Sequence, residues 1–220
     1  MTGSNIPRKR SRPYASAVRD RQAQHTRSAV IQAAGQCFAE RGYAGTTMKD
    51  IAERAEVSVE TVYGQGGKAS LLIAAVDRVR TGGADLARVD DRTDMRAVLH
   101  AATPRDALLH LRTLITASLP DALPILSAFH RAADSDPEIA TAYETYETTR
   151  WGDLEPIAQA LKPQLRPEVS VDQAADVIWS LLDPTAAEGL VRRRGWTTDQ
   201  WATWVTNTLD RLLLVEAAQT

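Results

Sequence analysis

The 220-residue chain is long enough for one large domain or two modest ones with a proper core, and it contains no apolar run of the ~18–20 residues needed to cross a bilayer. Its net charge of −2 divides unevenly: residues 1–80 carry 13 Lys+Arg against 7 Asp+Glu, a balance of +6, while residues 81–220 carry 13 against 21, a balance of −8. That division fits a nucleic-acid-binding end joined to a body that avoids DNA, and with no apolar signal core at the N-terminus the expected location is the cytoplasm.

Residues 1–22 open with two prolines and with Arg8, Lys9, Arg10 and Arg12, with no apolar face, and are expected to form a disordered basic arm. Such arms can lay arginines in a minor groove, or they can simply solubilise. Arg19, Arg21 and Arg27 lead into a first helix whose stripe is Val30, Ala33, Ala34, Cys37 and Phe38. Cys37, the single cysteine, sits on that stripe as a small buried hydrophobe and has no disulfide partner. Gly42 takes the C′ position that ends the helix.

From Thr47 to Lys68 two short helices are predicted with a tight turn between them. Met48, Ile51, Ala52 and Ala55 recur at i, i+3, i+4 and i+7; Val59, Val62 and Tyr63 begin a second stripe. Thr47 with Asp50 three residues on makes a capping-box pattern, and Ser58 caps the second helix. The connection at residues 55–58 has helix-turn-helix length, with Val57 placed to plug the angle. In such a unit the second helix enters the major groove and the first crosses the phosphate backbone. Off the apolar stripes, Ser58, Glu60 and Thr61 face the bases, while Thr47, Tyr63 and Lys68 suit phosphates. Spacing alone leaves a second reading open, an ordinary two-helix corner with a solvated face.

A fourth stripe follows at Leu71, Leu72, Ala75, Val76 and Val79. With it, the segment closely resembles the N-terminal DNA-binding domain of the TetR family of transcriptional regulators. The residues that carry the resemblance are Phe38, Gly42, Tyr43, Thr46, Thr47, Ile51, Ala52, Ala55, Val57, Ser58, Thr61, Tyr63, Lys68 and Leu71, about a third of the chain in span. One departure stands out. The family usually places an aromatic pair and a longer turn between that tyrosine and lysine, whereas residues 64–67 here are Gly-Gln-Gly-Gly, a turn one residue shorter.

Helical patterning stops at residues 81–83, and a charged stretch to Asp94 follows, so the DNA-binding domain is expected to span residues 23–80 and the remainder residues 81–220. Helices are predicted over residues 95–101 and, from the Thr103-Pro104 start, over residues 104–119. Pro120 and Pro124 are expected to break the chain before a helix over residues 125–133. Asp136-Pro137 opens a helix reaching Leu161, and residues 162–167 form a loop. Ser170 caps the next helix, which Pro184 should kink or divide ahead of residues 186–194, and Thr197 or Thr198 caps the last. All five tryptophans fall between Trp151 and Trp204. No strand alternation or repeat is present; the fold class is all-α.

Two recognition helices must stand about 34–36 Å apart to meet successive major-groove faces, which favours a homodimer. The apolar, aromatic faces of the last two long helices supply the interface candidates Trp179, Leu182, Trp204, Val205 and Leu209; the same stripes would equally complete a monomer core. The resemblance implies the same dimer, a palindromic double-stranded operator, and a small-molecule inducer held by the middle helices. Leu111, Ile115, Phe129, His130, Tyr143, Tyr146 and Trp151 are the pocket candidates, each also an ordinary core residue by pattern. His25, His100, His110 and His130 show no zinc spacing, and no phosphate loop or nucleophile elbow is present, so neither a metal, a cofactor nor an enzyme is expected. The expected function is a ligand-responsive transcriptional regulator, a repressor. The alternative is a helical ligand-binding or interaction protein that has lost specific DNA binding.

Overall fold

The computed structural model describes residues 13–82 and 92–216, with side chains from residue 19 onward. Every regular element among them is helical, apart from an isolated antiparallel bridge between Leu165 and Leu214. The helices are α1 (Pro13–Arg41), α2 (Met48–Ala55), α3 (Val59–Tyr63), α4 (Lys68–Arg80), α5 (Thr93–Leu99), α6 (Pro104–Ala133), α7 (Pro137–Leu161), α8 (Val171–Leu181), α9 (Pro184–Ala187) and α10 (Thr198–Leu213). No helix among the described residues is long and apolar enough to cross a membrane.

The ends of these helices are set locally. Thr47, Ser170 and Thr197 each accept from the backbone N–H three residues on, and Asp50, Gln173 and Gln200 bond back in turn to complete capping boxes. Asp136 accepts from the Glu138 and Ile139 amides to start α7. Gly42, at φ +70°, ends α1 in the left-handed conformation that costs glycine nothing.

Two expectations need correction. The basic arm was drawn to residue 22, yet α1 already begins at Pro13; residues 1–12, and most of the charged boundary before Asp94, lie outside the described residues. Proline at N1 followed by alanine, arginine and glutamine is a favourable helix start, so the lack of an apolar face did not prevent helix formation. Pro120 and Pro124 also fail to break α6, which runs unbroken for 30 residues, about 45 Å. The carbonyls the prolines leave free are those of Thr116, half-buried, and Pro120, exposed, so water can serve at least the latter. Against roughly 3 kcal/mol for an interior proline, burial of Ile115, Leu123, Ile125 and Phe129 returns about 1.5–3 kcal/mol each.

The core has two parts, and α6 belongs to both. Its first half packs Leu108, Leu111 and Ile115 with Ile157, Leu161, Ile178, Trp201, Val205 and Leu209. Its second half packs Ile125, Ala128, Phe129 and Ala132 with Phe38, Ile51, Val62, Leu72 and, from α7, Ile139. The core beneath residues 23–80 therefore draws on side chains well beyond Arg80. Gly35 in α1 admits this approach: a Cβ there would lie 3.3 Å from Ile125 Cδ1 and 3.4 Å from Ala75 Cβ. Cys37, 1% exposed, is part of the same core, and burial pushes its thiol pKa up.

Candidate functional site

The helix-turn-helix is assembled from α2 and α3. Val57 N–H bonds the Ala52 carbonyl at 3.1 Å, and Glu56 makes the turn at φ +54°, a left-handed position rarely taken by a residue with a Cβ. Met48, Ile51, Ala52 and Val62 are buried beneath it, leaving the opposite face to solvent. On that face Thr47, Ser58, Glu60 and Tyr63 are exposed and Thr61 is half-buried. Ser58 Oγ accepts from the Thr61 amide at 3.2 Å and lies 3.1 Å from Thr61 Oγ1. Glu60's carboxyl is held below its usual range by its own backbone N–H and then by the Ser58 hydroxyl. Tyr63, 62% exposed, stands out from the tip.

Thr47 and Lys68 are more engaged than a bare phosphate contact would be. Both the amide and the hydroxyl of Thr47 donate to Asp50 Oδ2, at 2.8 and 2.6 Å, and Asp50 is also paired with Arg41. Lys68 Nζ donates to the Thr46 carbonyl at 2.9 Å and stands 4.4 Å from the centroid of the Tyr43 ring. That bond uses one of the ammonium's three donors. In the short glycine turn, Gln65 offers its carbonyl to Arg27 Nη1 at 3.3 Å, which ties α1 to the tip.

The seven pocket candidates do not converge. Leu111 and Ile115 are buried in the core beside α10, and Trp151 is on the surface, donating from Nε1 to Asp176 Oδ1 at 3.0 Å. Phe129, His130, Tyr143 and Tyr146 do come together. Phe129 meets Tyr146 edge-on with ring centroids 5.8 Å apart and Tyr143 at 5.4 Å, and His130 Nδ1 lies 3.0 Å from Tyr143 Oη. Burial pushes the Tyr143 hydroxyl up to about 12, with Glu147 and Asp183 adding to it; Tyr146 is raised mainly by burial. Tyr146 lines two spaces. One is a void of about 10 Å³ lined by Ser127, His130, Tyr143, Thr185 and Glu188; the other is a cavity of about 300 Å³ between α4, α6 and α7, lined by Ile73, Val76, Phe129 and Thr145. A cavity of about 570 Å³ lies between α1, α4 and α6. The polar residues Ser127, Glu147, Arg150, Asp183 and Glu188 were absent from the sequence candidates. Glu147 and Arg150 pair at i,i+3 on α7, but Ser127, Asp183 and Glu188 come from other segments, and no local spacing joins them to that pair.

Of the interface candidates, Val205 and Leu209 are 0% exposed and complete the chain's own core, which corrects their assignment to an outer face. Residues 202, 205, 206, 209 and 213 form the inward stripe of α10, and in a helix apolar on more than one side the pattern does not say which stripe faces in. Trp204, 39% exposed, does lie outward, stacked on Trp201 at 5.3 Å and beside Trp196 at 6.2 Å, with Leu212 exposed on the same helix. Trp179 and Leu182 are half-buried.

Comparison with known proteins agrees with this geometry. Residues 30–75 match the family described as bacterial regulatory proteins, tetR family. The HTH-type transcriptional regulator TtgR of Pseudomonas putida is 39% identical over 74 residues, 33% of this chain and 35% of TtgR, so the match spans about a third of that relative. Solved structures that share the fold include the following two. A transcriptional regulator from Saccharomonospora viridis, in complex with choline, superposes with TM-score 0.69 at 18% identity, over 88% of this chain and 100% of that one. NalD, the secondary repressor of the MexAB-OprM multidrug efflux pump in Pseudomonas aeruginosa, superposes with TM-score 0.64 at 19% identity, over 90% and 100%.

Proposed function

We propose, for a chain whose residues 30–75 are a TetR-family segment, that the protein is a transcriptional repressor that binds a palindromic operator as a homodimer and releases it when a small molecule enters the helical body. The observation that carries this reading is the capped helix-turn-helix, with its apolar side buried and Thr47, Ser58, Glu60 and Tyr63 left on one solvated face. Ser58, Glu60 and Thr61 read bases; Thr47, Tyr63 and Lys68 hold phosphates. The outward faces of α8 and α10, at Trp179, Leu182 and Trp204, pair with a second copy. The ligand enters near Phe129, His130, Tyr143 and Tyr146, against α4, and favours a conformation in which the two recognition helices no longer match the groove spacing. That one structural neighbour was solved with choline and another is named a repressor supports a ligand-responsive repressor.

The test is selection of bound fragments from genomic DNA by the purified protein at near-physiological salt. The expected result is one palindromic site with half-sites about one helical turn apart. Only salt-sensitive, sequence-blind binding, or no binding, would overturn the operator reading.

A further inference from the structure

The early turns of α1 have no packing role that accounts for them. In a helix running from Pro13 to Arg41, Val30 is the first of the described side chains to lie in the core. Ahead of it, residues 19–25 and Arg27 are exposed, with Thr26 and Ser28 half-buried. Ala23 is the one apolar side chain from Arg19 to Ser28, so nearly three turns of helix, about 15 Å, are polar on every side. Alone, such a segment would be marginal as a helix in water. Here the buried half of α1 supplies the nucleus, and the polar turns continue it as a preformed rod.

The rod is anchored at its inner end. Arg27 Nη1 donates to the Gln65 carbonyl at 3.3 Å, and Ser28 accepts from Arg78 Nη1 at 3.1 Å. Gln65 lies in the glycine turn between Tyr63 and Lys68, the two residues assigned to phosphates in the reading above. The polar turns therefore leave the core beside the tip of the helix-turn-helix. Their charge suits the same partner. Arg19, Arg21 and Arg27 stand against one acid, Asp20, in residues 19–28. Arg19, Ala23 and Arg27 recur at i, i+4 and i+8, which puts two arginines on one face about 12 Å apart along the axis. Phosphates of one DNA strand recur about every 3.4 Å of duplex axis, so that pair spans roughly three to four of them. A guanidinium has five N–H donors, and the bond to Gln65 leaves Arg27 able to meet a phosphate without releasing the turn.

We propose that residues 19–27 of α1 are a second DNA contact, a helix lying along the phosphates that flank each half-site, with Arg19 and Arg27 on the backbone of one strand. The helix reads no bases. It lengthens the footprint and adds affinity on every sequence, while α3 chooses the site. A segment that is already helical loses little backbone entropy on docking, which a disordered arm would have to lose in full. The contact rests on the operator reading above and extends it.

The experiment is fluorescence anisotropy on the full chain with two duplexes, the selected operator trimmed to its half-sites and the same operator with about eight further base pairs at each end, over a range of salt. The flanked duplex should bind at least roughly tenfold tighter at about 0.1 M salt, with a salt slope steeper by about 0.9 for each phosphate gained. Replacing all three arginines, Arg19→Gln, Arg21→Gln and Arg27→Gln, should remove the difference between the duplexes and keep the preference for operator over a scrambled sequence. A fold defect would weaken both duplexes alike and leave their ratio standing. Equal affinity for trimmed and flanked duplexes, or a triple variant that keeps the full flank effect, would overturn the proposal. So would a triple variant that binds DNA as the parent does but changes the oligomeric state of the free protein, since the helix would then meet a second copy. If no operator is selected, the salt series on a random duplex of about 40 base pairs decides. A shallower slope in the triple variant keeps this contact and removes only the operator reading; an unchanged slope, or no binding, removes the contact.

Discussion

Tyr43 Oη donates a 2.7 Å hydrogen bond to Asp136 Oδ2, joining the loop after α1 to the residue that caps α7. Around this bond the Lys68 ammonium lies over the Tyr43 ring, and Ser70 reaches Glu138 at 3.3 Å. Asp136 is lowered chiefly by the Tyr43 hydroxyl, while burial, then that bond, raise the tyrosine. Farther along the same α7 lie Tyr143, Tyr146, Glu147 and Arg150. One helix therefore carries the proposed ligand contacts Tyr143 and Tyr146 in its middle and meets the helix-turn-helix half at its start. A shift of α7 on ligand binding would reach Tyr43 and Lys68 through the helix's own N-cap, and by reciprocity bound DNA would weaken the ligand by the same factor.

Tyr43→Phe should lower the thermal midpoint by roughly 2–4 °C, the loss expected for one partly buried hydrogen bond in a chain of this size. Asp136→Asn should also destabilise, and the double variant should be less destabilised than the sum of the two singles, as measured by thermal denaturation in a double-mutant cycle. Strict additivity would show that the contact contributes nothing.

Asp50 gives an acid-sensitive contribution. Its pKa is lowered from the ordinary 3.8 to about 2, first by the Thr47 hydroxyl, then by the Thr47 amide, with Arg41 adding to both. Because the folded-state pKa is the lower one, the stabilisation is complete above about pH 4 and is lost as the pH falls towards 2. Asp50→Asn should therefore be less stable than the parent at pH 5, with the gap in thermal midpoint closing between pH 4 and pH 2. A constant gap would rule the carboxylate out.

Tyr63 is too exposed to hold the fold, so Tyr63→Ala should change stability by no more than about 0.5 kcal/mol while weakening DNA binding. Lys68→Ala should weaken binding to every sequence and make its salt dependence shallower, whereas Thr61→Ala should alter the preference between operators. Lys68→Ala should also lower the melting temperature, since Nζ supports the Thr46 carbonyl and covers Tyr43. Fluorescence anisotropy at several salt concentrations, paired with thermal melts, separates these effects.

Glu56 holds the helix-turn-helix turn at φ +54°. The left-handed region costs a residue with a Cβ roughly 1–2 kcal/mol, part of which glycine's greater freedom in the unfolded chain takes back. Glu56→Gly should raise stability by about 1 kcal/mol or less, and Glu56→Val should lower it more than that. Equal melting temperatures for the two variants would contradict the strain.

The helix-turn-helix was legible in the sequence because its signals are local: Thr47 with Asp50, Ser58 with Thr61 and the stripe from Met48 to Ala55 all lie within a turn or two of one another. Proline signals are local too, and at Pro120 and Pro124 they misled, since apolar burial on either side outweighs the lost backbone bonds. For α10, periodicity found the stripes and left their facing open, so Val205 and Leu209 were placed outside and Trp204 alone of the three on that helix remains there. The cluster around Arg150 was illegible for a different reason. Ser127, Glu147, Trp179 and Glu188 come from four segments of chain, and each, taken alone, looks like a solvated or core residue.

Because α6 gives Leu108, Leu111 and Ile115 to one core and Ile125, Phe129 and Ala132 to the other, neither half of the chain can be excised whole. Cutting after Arg80 would leave Phe38 and Leu72 facing water where α6 had covered them. Grafting the helix-turn-helix half onto a foreign body would succeed only if the graft also brought the second half of α6 and the first turn of α7. The chain should accordingly melt in a single cooperative transition, and recombination within residues 81–122 should be far less tolerated than the charge boundary there suggests.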